Sequence, residues 1–141
     1  MLVSLQRQAK ALRIDDVTVF QPSESDTAPF FRSIDVFVLM SRSESFPNTV
    51  LEAMACGCCV VASRVGGVPE VIVEGGNGMM FRSGDLEHLR RVLSRAVLEE
   101  KTRERLAAAA ALDAPRLFSM EAALRRMEGL YDSVLAGQAG R

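Results

Sequence analysis

Glu44 and Glu52 are the two carboxylates in this chain whose surroundings suggest chemistry. They bracket Ser45-Phe46-Pro47-Asn48-Thr49-Val50-Leu51, a stretch that reads as loop passing into helix. A helix start exposes unpaired N–H donors and carries roughly half a unit of positive charge. It is a natural seat for an anion. The candidate donors are the backbone N–H groups of Phe46, Asn48, Thr49 and Val50, whereas Pro47 has none and only shapes the turn. Asn48 is expected as the helix cap, with a side chain able to turn toward a ligand instead. Glu44 then lies in the loop and Glu52 about one turn into the helix. Such a site can hold a sugar hydroxyl, a phosphate and a ribose together. The competing reading is an ordinary capped helix in which Glu52 is a first-turn residue favoured by the helix dipole.

The flanking sequence must position this stretch. An apolar run at 36–40 reads as a strand buried on both faces, and Cys59-Val60-Val61-Ala62 as another. Residues 48–56 read as the helix, with Gly57 as its stop and Leu51 and Met54 toward the core. Upstream, Leu2, Leu5, Ala9 and Leu12 recur at helical spacing over 2–13. The β-branched residues at 17–20 predict a short strand, and 27–33 a short helix with Pro29 in its first turn. Downstream, Gly66-Gly67 is a turn, and Pro69 opens a short helix through Val73. Gly75-Gly76-Asn77-Gly78 turns tightly into a strand at 79–81. Asp85 caps a helix carrying Leu86, Leu89, Val92, Leu93, Ala96 and Val97 on one face. Two more helices are predicted. One covers 102–112 and ends near Pro115; the other covers 119–135, with Ser119 as cap and Met120, Leu124, Met127, Tyr131 and Val134 as stripe. Residues 1–136 form one unit, and 137–141 a disordered tail.

Strands alternating with helices imply an α/β fold, a doubly wound, Rossmann-like parallel sheet with right-handed crossovers, followed by C-terminal helices. Ligands of such sheets bind at the carboxyl ends of the strands. The loops after residues 20, 40 and 62 should open there, so the fold would place a site at Glu44 and Glu52.

Composition narrows the function classes. Hydrophobic residues make up 48% and charged residues 25% of 141 residues, as in ordinary soluble domains. The 17 basic and 18 acidic side chains nearly cancel, which argues against a nucleic-acid partner held by a positive field. No apolar run approaches the roughly 20 residues of a membrane span. The N-terminus is interrupted by Gln6, Arg7, Gln8 and Lys10 and does not read as a signal peptide. Cys56, Cys58 and Cys59 are crowded and odd in number, and the single histidine, His88, is distant. They read as small buried residues, with no metal site and no disulfide framework. Reduced thiols fit a cytoplasmic location. Arg90, Arg91 and Arg95 could touch an anionic membrane at its inner face, but Glu87, Glu99 and Glu100 dilute the charge and favour a solvated helix face.

The motifs also occur together in a known order. Residues 44–57, Glu-Ser-Phe-Pro-Asn-Thr-Val-Leu-Glu-Ala-Met-Ala-Cys-Gly, closely resemble the signature of the family 4 retaining glycosyltransferases of GT-B fold. Val60-Val61-Ala62-Ser63, then Gly66-Gly67-Val68-Pro69-Glu70-Val71-Ile72, look like that family's next strand and turn. Gly75-Gly76-Asn77-Gly78, Met79-Met80-Phe81 and Asp85-Leu86 look like the loop, strand and trailing helix that follow. The resemblance covers 17 to about 98 and implies the C-terminal, donor-binding lobe of the fold. It implies that Glu44 is the catalytic-site carboxylate, contacting donor-sugar hydroxyls near the reaction centre. It also implies that amides of Phe46, Asn48, Thr49 and Val50 hold the distal phosphate and sugar, and that Glu52 binds the ribose. The implied partners are a nucleotide-sugar donor and a glycan acceptor, as in polysaccharide assembly. The implied chemistry is retaining transfer with no cofactor and no required metal.

The sequence departs from the family's pattern in one region. The family's donor lobe begins with two strands, the first leading to a loop whose Arg and Lys-Gly grip the diphosphate. The two lysines here, Lys10 and Lys101, precede no glycine, and Arg64 stands where the family often has an acidic residue. In the sheet order 3-2-1-4-5-6, residues 17–20 would be the third strand and 36–40 the fourth, with the two missing strands between them. The expectation is an incomplete lobe, truncated from a longer enzyme whose N-terminal lobe holds the acceptor, and inactive alone. Two alternatives compete with it. One is a non-catalytic nucleotide-sugar-binding module or subunit of a split transferase; the other is a nucleotide-sugar epimerase of the same fold, which the Phe46-Pro47-Asn48 context fits less well.

Overall fold

The computed structural model describes residues 2–22 and 25–138. Its elements run α1 (Leu2–Ala11), a 3-10 turn (Asp15–Val17), α2 (Ala28–Arg32), β1 (Val36–Leu39), α3 (Asn48–Ala55), β2 (Cys59–Ser63), α4 (Val68–Val71), β3 (Met79–Phe81), α5 (Leu86–Leu98), α6 (Glu100–Phe118) and α7 (Met120–Gln138). The three strands form one parallel sheet in the order β1-β2-β3. Val36 is in register with Cys59, and Val61 with Met79.

β2 is the central strand, and every one of its residues is buried. Its side chains alternate between two cores, as a strand covered on both faces requires. Val60 and Ala62 pack with Val50, Ala53 and Met54 of α3 and with Val68 and Val71 of α4. Cys59 and Val61 pack with Met79 and Phe81, with Val92 and Ala96 of α5, and with Leu106 of α6. Ala110 and Ala114 of α6 belong to the first core, so α6 serves both faces. Each fully buried valine contributes about 2 kcal/mol of transfer free energy, so the position of β2 is strongly specified.

Local signals explain the boundaries around the site. Gly57 takes φ +83 just past α3, the left-handed geometry that ends helices. The Asp85 carboxylate accepts the His88 N–H at 2.8 Å and caps α5. That bond holds the Asp85 carboxyl below the ordinary carboxylate range. The Ser119 hydroxyl accepts the Ala122 N–H at 3.2 Å where α6 hands over to α7.

Several expectations are corrected. Residues 17–20 form no strand: Val17 and Val19 are 77% and 85% exposed, Val17 ends a 3-10 turn, and 18–20 have no regular structure. A strand needs a neighbour to satisfy its backbone, and none reaches this segment. Among the described residues β1 pairs only with β2, so it is an edge strand there, half-buried rather than enclosed, and Met40 is exposed beyond its end. Pro115 lies inside α6 rather than ending it. Proline removes one intrahelical bond but does not prevent the next turn, which Phe118 anchors against the core. Leu86 and Val97 of the α5 stripe are exposed, as is the whole predicted stripe of α7. α7 continues through Gln138, so Gly137 and Gln138 are helical; the rest of the expected tail lies outside the described residues.

Candidate functional site

The loop after β1 and the loop after β2 meet at the carboxyl edge of the sheet. Ser63, at the end of β2 and almost fully buried, donates its hydroxyl to the Ser41 carbonyl at 2.7 Å. Ser41 in turn donates its own hydroxyl to Oε1 of Glu44 at 2.7 Å. A chain of two hydroxyls therefore runs from the central strand to the half-buried Glu44 carboxylate. A buried bond of the first kind is worth about 1 kcal/mol net, and more if its partner is stranded.

The same loop is seated on the glycine pair. A Cβ added at Gly66 would lie 1.6 Å from the Glu44 carbonyl oxygen, and one added at Gly67 would lie 2.5 Å from that of Ser45. Gly66 also takes φ +47, a conformation that disfavours side chains. The sequence marks Gly66-Gly67 as a turn; the structure shows it as the surface on which the Glu44 loop rests.

The turn into α3 uses part of its own donor supply. Asn48 N–H bonds the Phe46 carbonyl at 3.0 Å, and Val50 N–H bonds the Pro47 carbonyl at 3.0 Å. The N–H groups of Phe46 and Thr49 have no acceptor among the described residues. Pro47, not Asn48, is the cap position, and Asn48 is the first helical residue with an exposed side chain. Val50 is fully buried and its N–H is already engaged, so the expected role of its amide as a ligand donor is not met. The Phe46 ring, 45% exposed, tilts against Phe118 at the end of α6, with centroids 6.2 Å apart. Glu52 is exposed on α3, and its Oε2 accepts the Thr27 hydroxyl at 2.8 Å. A shallow groove beside Glu52 is lined by Leu51, Ala55, Ala114, Pro115 and Phe118.

The structure thus gathers Glu44, Phe46, Asn48, Thr49 and Glu52 around one helix start and places the Val50 side chain in the core. Sequence reasoning missed Ser41, Ser63, Thr27 and the glycine seat. Short hydroxyl residues in loops carry no signal of distant partners; Gly66-Gly67 carried one, read only as a turn.

Other groups have structural duties. Arg64 pairs with Glu74 at 3.7 Å, and Glu74 accepts the Met80 N–H at 2.7 Å on the edge of β3. His88 Nδ1 accepts the Arg82 N–H. Cys56, Cys58 and Cys59 are free thiols. Burial pushes Cys58 up to about 11 and raises Cys59, so both stay protonated at neutral pH. Asn77, buried, donates to Asp113, and Asp113 is held below the usual carboxylate range first by Arg116 and then by Asn77.

The family description Glycosyl transferases group 1 matches residues 1–113. The chain belongs to this family. It is 35% identical over 139 residues to a D-inositol 3-phosphate glycosyltransferase of Saccharomonospora viridis, a match covering 97% of this chain and 32% of that relative. It is 31% identical over 126 residues to an N-acetyl-alpha-D-glucosaminyl L-malate synthase of Bacillus anthracis, covering 89% and 33% respectively. Among solved structures, Anabaena Alr3699/HepE in complex with UDP superposes with a TM-score of 0.85 at 22% identity, over 94% of this chain and 36% of that one. That likeness shows the shared fold, a Rossmann-like lobe of the GT-B type. This group 1 chain spans about a third of the length of the curated relatives it matches.

Proposed function

We propose that this chain forms the donor side of a glycosyltransferase that binds a nucleotide-sugar and transfers its glycosyl group, with retention, to a glycan acceptor. The observation that carries the reading is the helix start at Phe46 and Thr49, whose two amides have no acceptor among the described residues and lie in sequence between Glu44 and Glu52. An anion seat between two acceptor carboxylates suits a sugar diphosphate attached to a ribose. Glu44 takes hydroxyls of the donor sugar, the 46–50 turn takes the distal phosphate, and Glu52 takes the ribose hydroxyls. Family membership supports the transferase class, and UDP in a structural neighbour supports a nucleotide on this lobe. Charge developing on the leaving group is met by amides rather than a required metal, as the family resemblance implies.

Among the described residues, no lysine lies at the strand ends: Lys10 is in α1 and Lys101 in α6. Arg64 is already paired with Glu74. The proposal therefore includes slow or absent transfer by this chain alone, because a preorganised cationic grip and a facing acceptor surface supply much of the rate. A membrane role gains no support. Arg90 pairs with Glu87 at 3.0 Å and Arg95 with Glu99 at 3.4 Å, as on a solvated helix face, and no described helix is long and apolar enough to cross a membrane.

Titration calorimetry of the 141-residue chain with UDP and the other ribonucleoside diphosphates tests the reading. Binding that is weakened roughly tenfold by Glu52→Ala is the expected result. No heat from any of them at millimolar concentration would sink the donor assignment, and transfer at ordinary enzymatic rates would overturn its low-activity clause.

A further inference from the structure

We infer that Thr27 is a positioning residue for Glu52 and sets how strongly the site distinguishes a ribose from a sugar without vicinal hydroxyls. The inference rests on the donor reading above and deepens it.

The starting point is a local rule that Thr27 breaks. It occupies the cap position of α2, where a threonine ordinarily turns its oxygen onto an early N–H of the helix. Here the side chain makes no cap bond, and the backbone is αR (φ -88, ψ -15) rather than extended. The neighbouring Asp26 carboxylate accepts the Ala28 N–H instead, at 3.2 Å. The Thr27 hydroxyl points away from its own helix and donates to Oε2 of Glu52, 25 positions along the chain, at 2.8 Å. A cap residue that gives up its local bond for a distant carboxylate is a departure of the kind found at functional sites.

Its chemical consequence follows from what a glutamate on an exposed helix otherwise does. Free Glu52 would exchange among several rotamers, and a ligand would have to order it on binding. The Thr27 hydroxyl fixes one oxygen, so the carboxylate plane is set before a ligand arrives. Oε1 has no partner among the described residues and is left as the open acceptor. α2 itself is held from behind: the Cys58 thiol donates to the Phe31 carbonyl at 3.0 Å, and Phe31 is buried in the core shared with α3. Thr27 therefore stands on a platform tied to the same layer as Glu52.

The test compares UDP with 2′,3′-dideoxy-UDP on the full chain, by calorimetry, for wild type, Thr27→Val and Thr27→Ser. Wild type should prefer UDP. Thr27→Val should narrow that preference about fivefold by weakening UDP alone, the size expected for one exposed charge-assisted bond. Thr27→Ser should restore it. Equal weakening of both nucleotides in Thr27→Val, or an unchanged ratio, would overturn the inference and leave the donor reading standing. A wild-type chain that binds both nucleotides equally, or neither, would overturn the ribose role of Glu52 and this inference with it. A thermal melt of each variant accompanies the titrations; a ratio that narrows while the melting temperature holds is the result that a merely structural Thr27 would not give.

Discussion

The two carboxylates flank one helix start but are held by different means. Glu44 sits on a loop with no regular structure of its own, fixed by Ser41 of the same loop and, through it, by β2 and the turn beyond. Ser63 holds Ser41, Ser41 holds the carboxylate, and Gly66 and Gly67 admit the loop backbone where no side chain fits. Glu52 needs no such apparatus to be placed. Helical geometry sets its position on α3, and one hydroxyl from Thr27 sets its orientation. The first arm is built into the core and the second is laid on its surface. Damage to the first should cost stability as well as ligand binding, whereas damage to the second should cost ligand binding alone.

Gly66→Ala is the most severe way to break the first arm. Its Cβ meets backbone, which cannot swing aside as a side chain can. The expected loss is about 3 kcal/mol or more in urea unfolding, with nucleotide binding abolished. Gly57→Ala is the matched control, since it also has positive φ but nothing within 4 Å of the new atom. It should cost only about 1 kcal/mol and leave binding intact. Equal costs for the two would mean that the glycine seat is unimportant.

Ser63→Ala removes the buried hydroxyl at the root of the Glu44 arm and strands the Ser41 carbonyl. It should cost about 1–2 kcal/mol in the same unfolding assay. Glu52→Ala, on the other arm, should change stability by less than about 0.5 kcal/mol while weakening UDP roughly tenfold in calorimetry. A stability loss matching that of Ser63→Ala would erase the distinction between built-in and laid-on arms.

A further test is a pH dependence in the platform behind Thr27. Burial raises the Cys58 thiol from 9.0 to about 11 in the folded chain. Because the folded value lies above the unfolded one, the contribution of the protonated thiol is complete below about pH 9 and is lost as pH rises toward 11. Unfolding free energy should therefore decline over that alkaline window in wild type and decline less in Cys58→Ala. Parallel curves for the two proteins would show that Cys58 is not the linked group.

Legibility in the sequence followed the range of the interactions. The Gly57 stop, the Asp85 cap and the central strand at 59–62 are set by neighbours within a few residues, and each was readable, whereas the cap of α3 falls on Pro47 rather than Asn48. The span from Glu44 to Glu52 was readable for the same reason. Residues 17–20 have strand-like composition, yet a strand exists only where a partner pairs it, and Val17 and Val19 stand exposed. The stripe on α7 has helical spacing and forms a helix, but spacing cannot say whether a surface covers it. Pro115 misled for a related reason: the loss of one backbone bond is visible in the sequence, but the packing of Phe118 that offsets it is not.

The family was legible in the sequence through the resemblance of residues 44–57 and the motifs that follow them, and the parallel α/β order and the two carboxylates around a helix start through short-range spacing. Only the tertiary structure decided which amides find an acceptor among the described residues, which glycines form a seat, and which hydroxyls hold Glu44 and Glu52. Those partners are 3, 22 and 25 positions apart, and two of the three meet only after the sheet and its helices have packed.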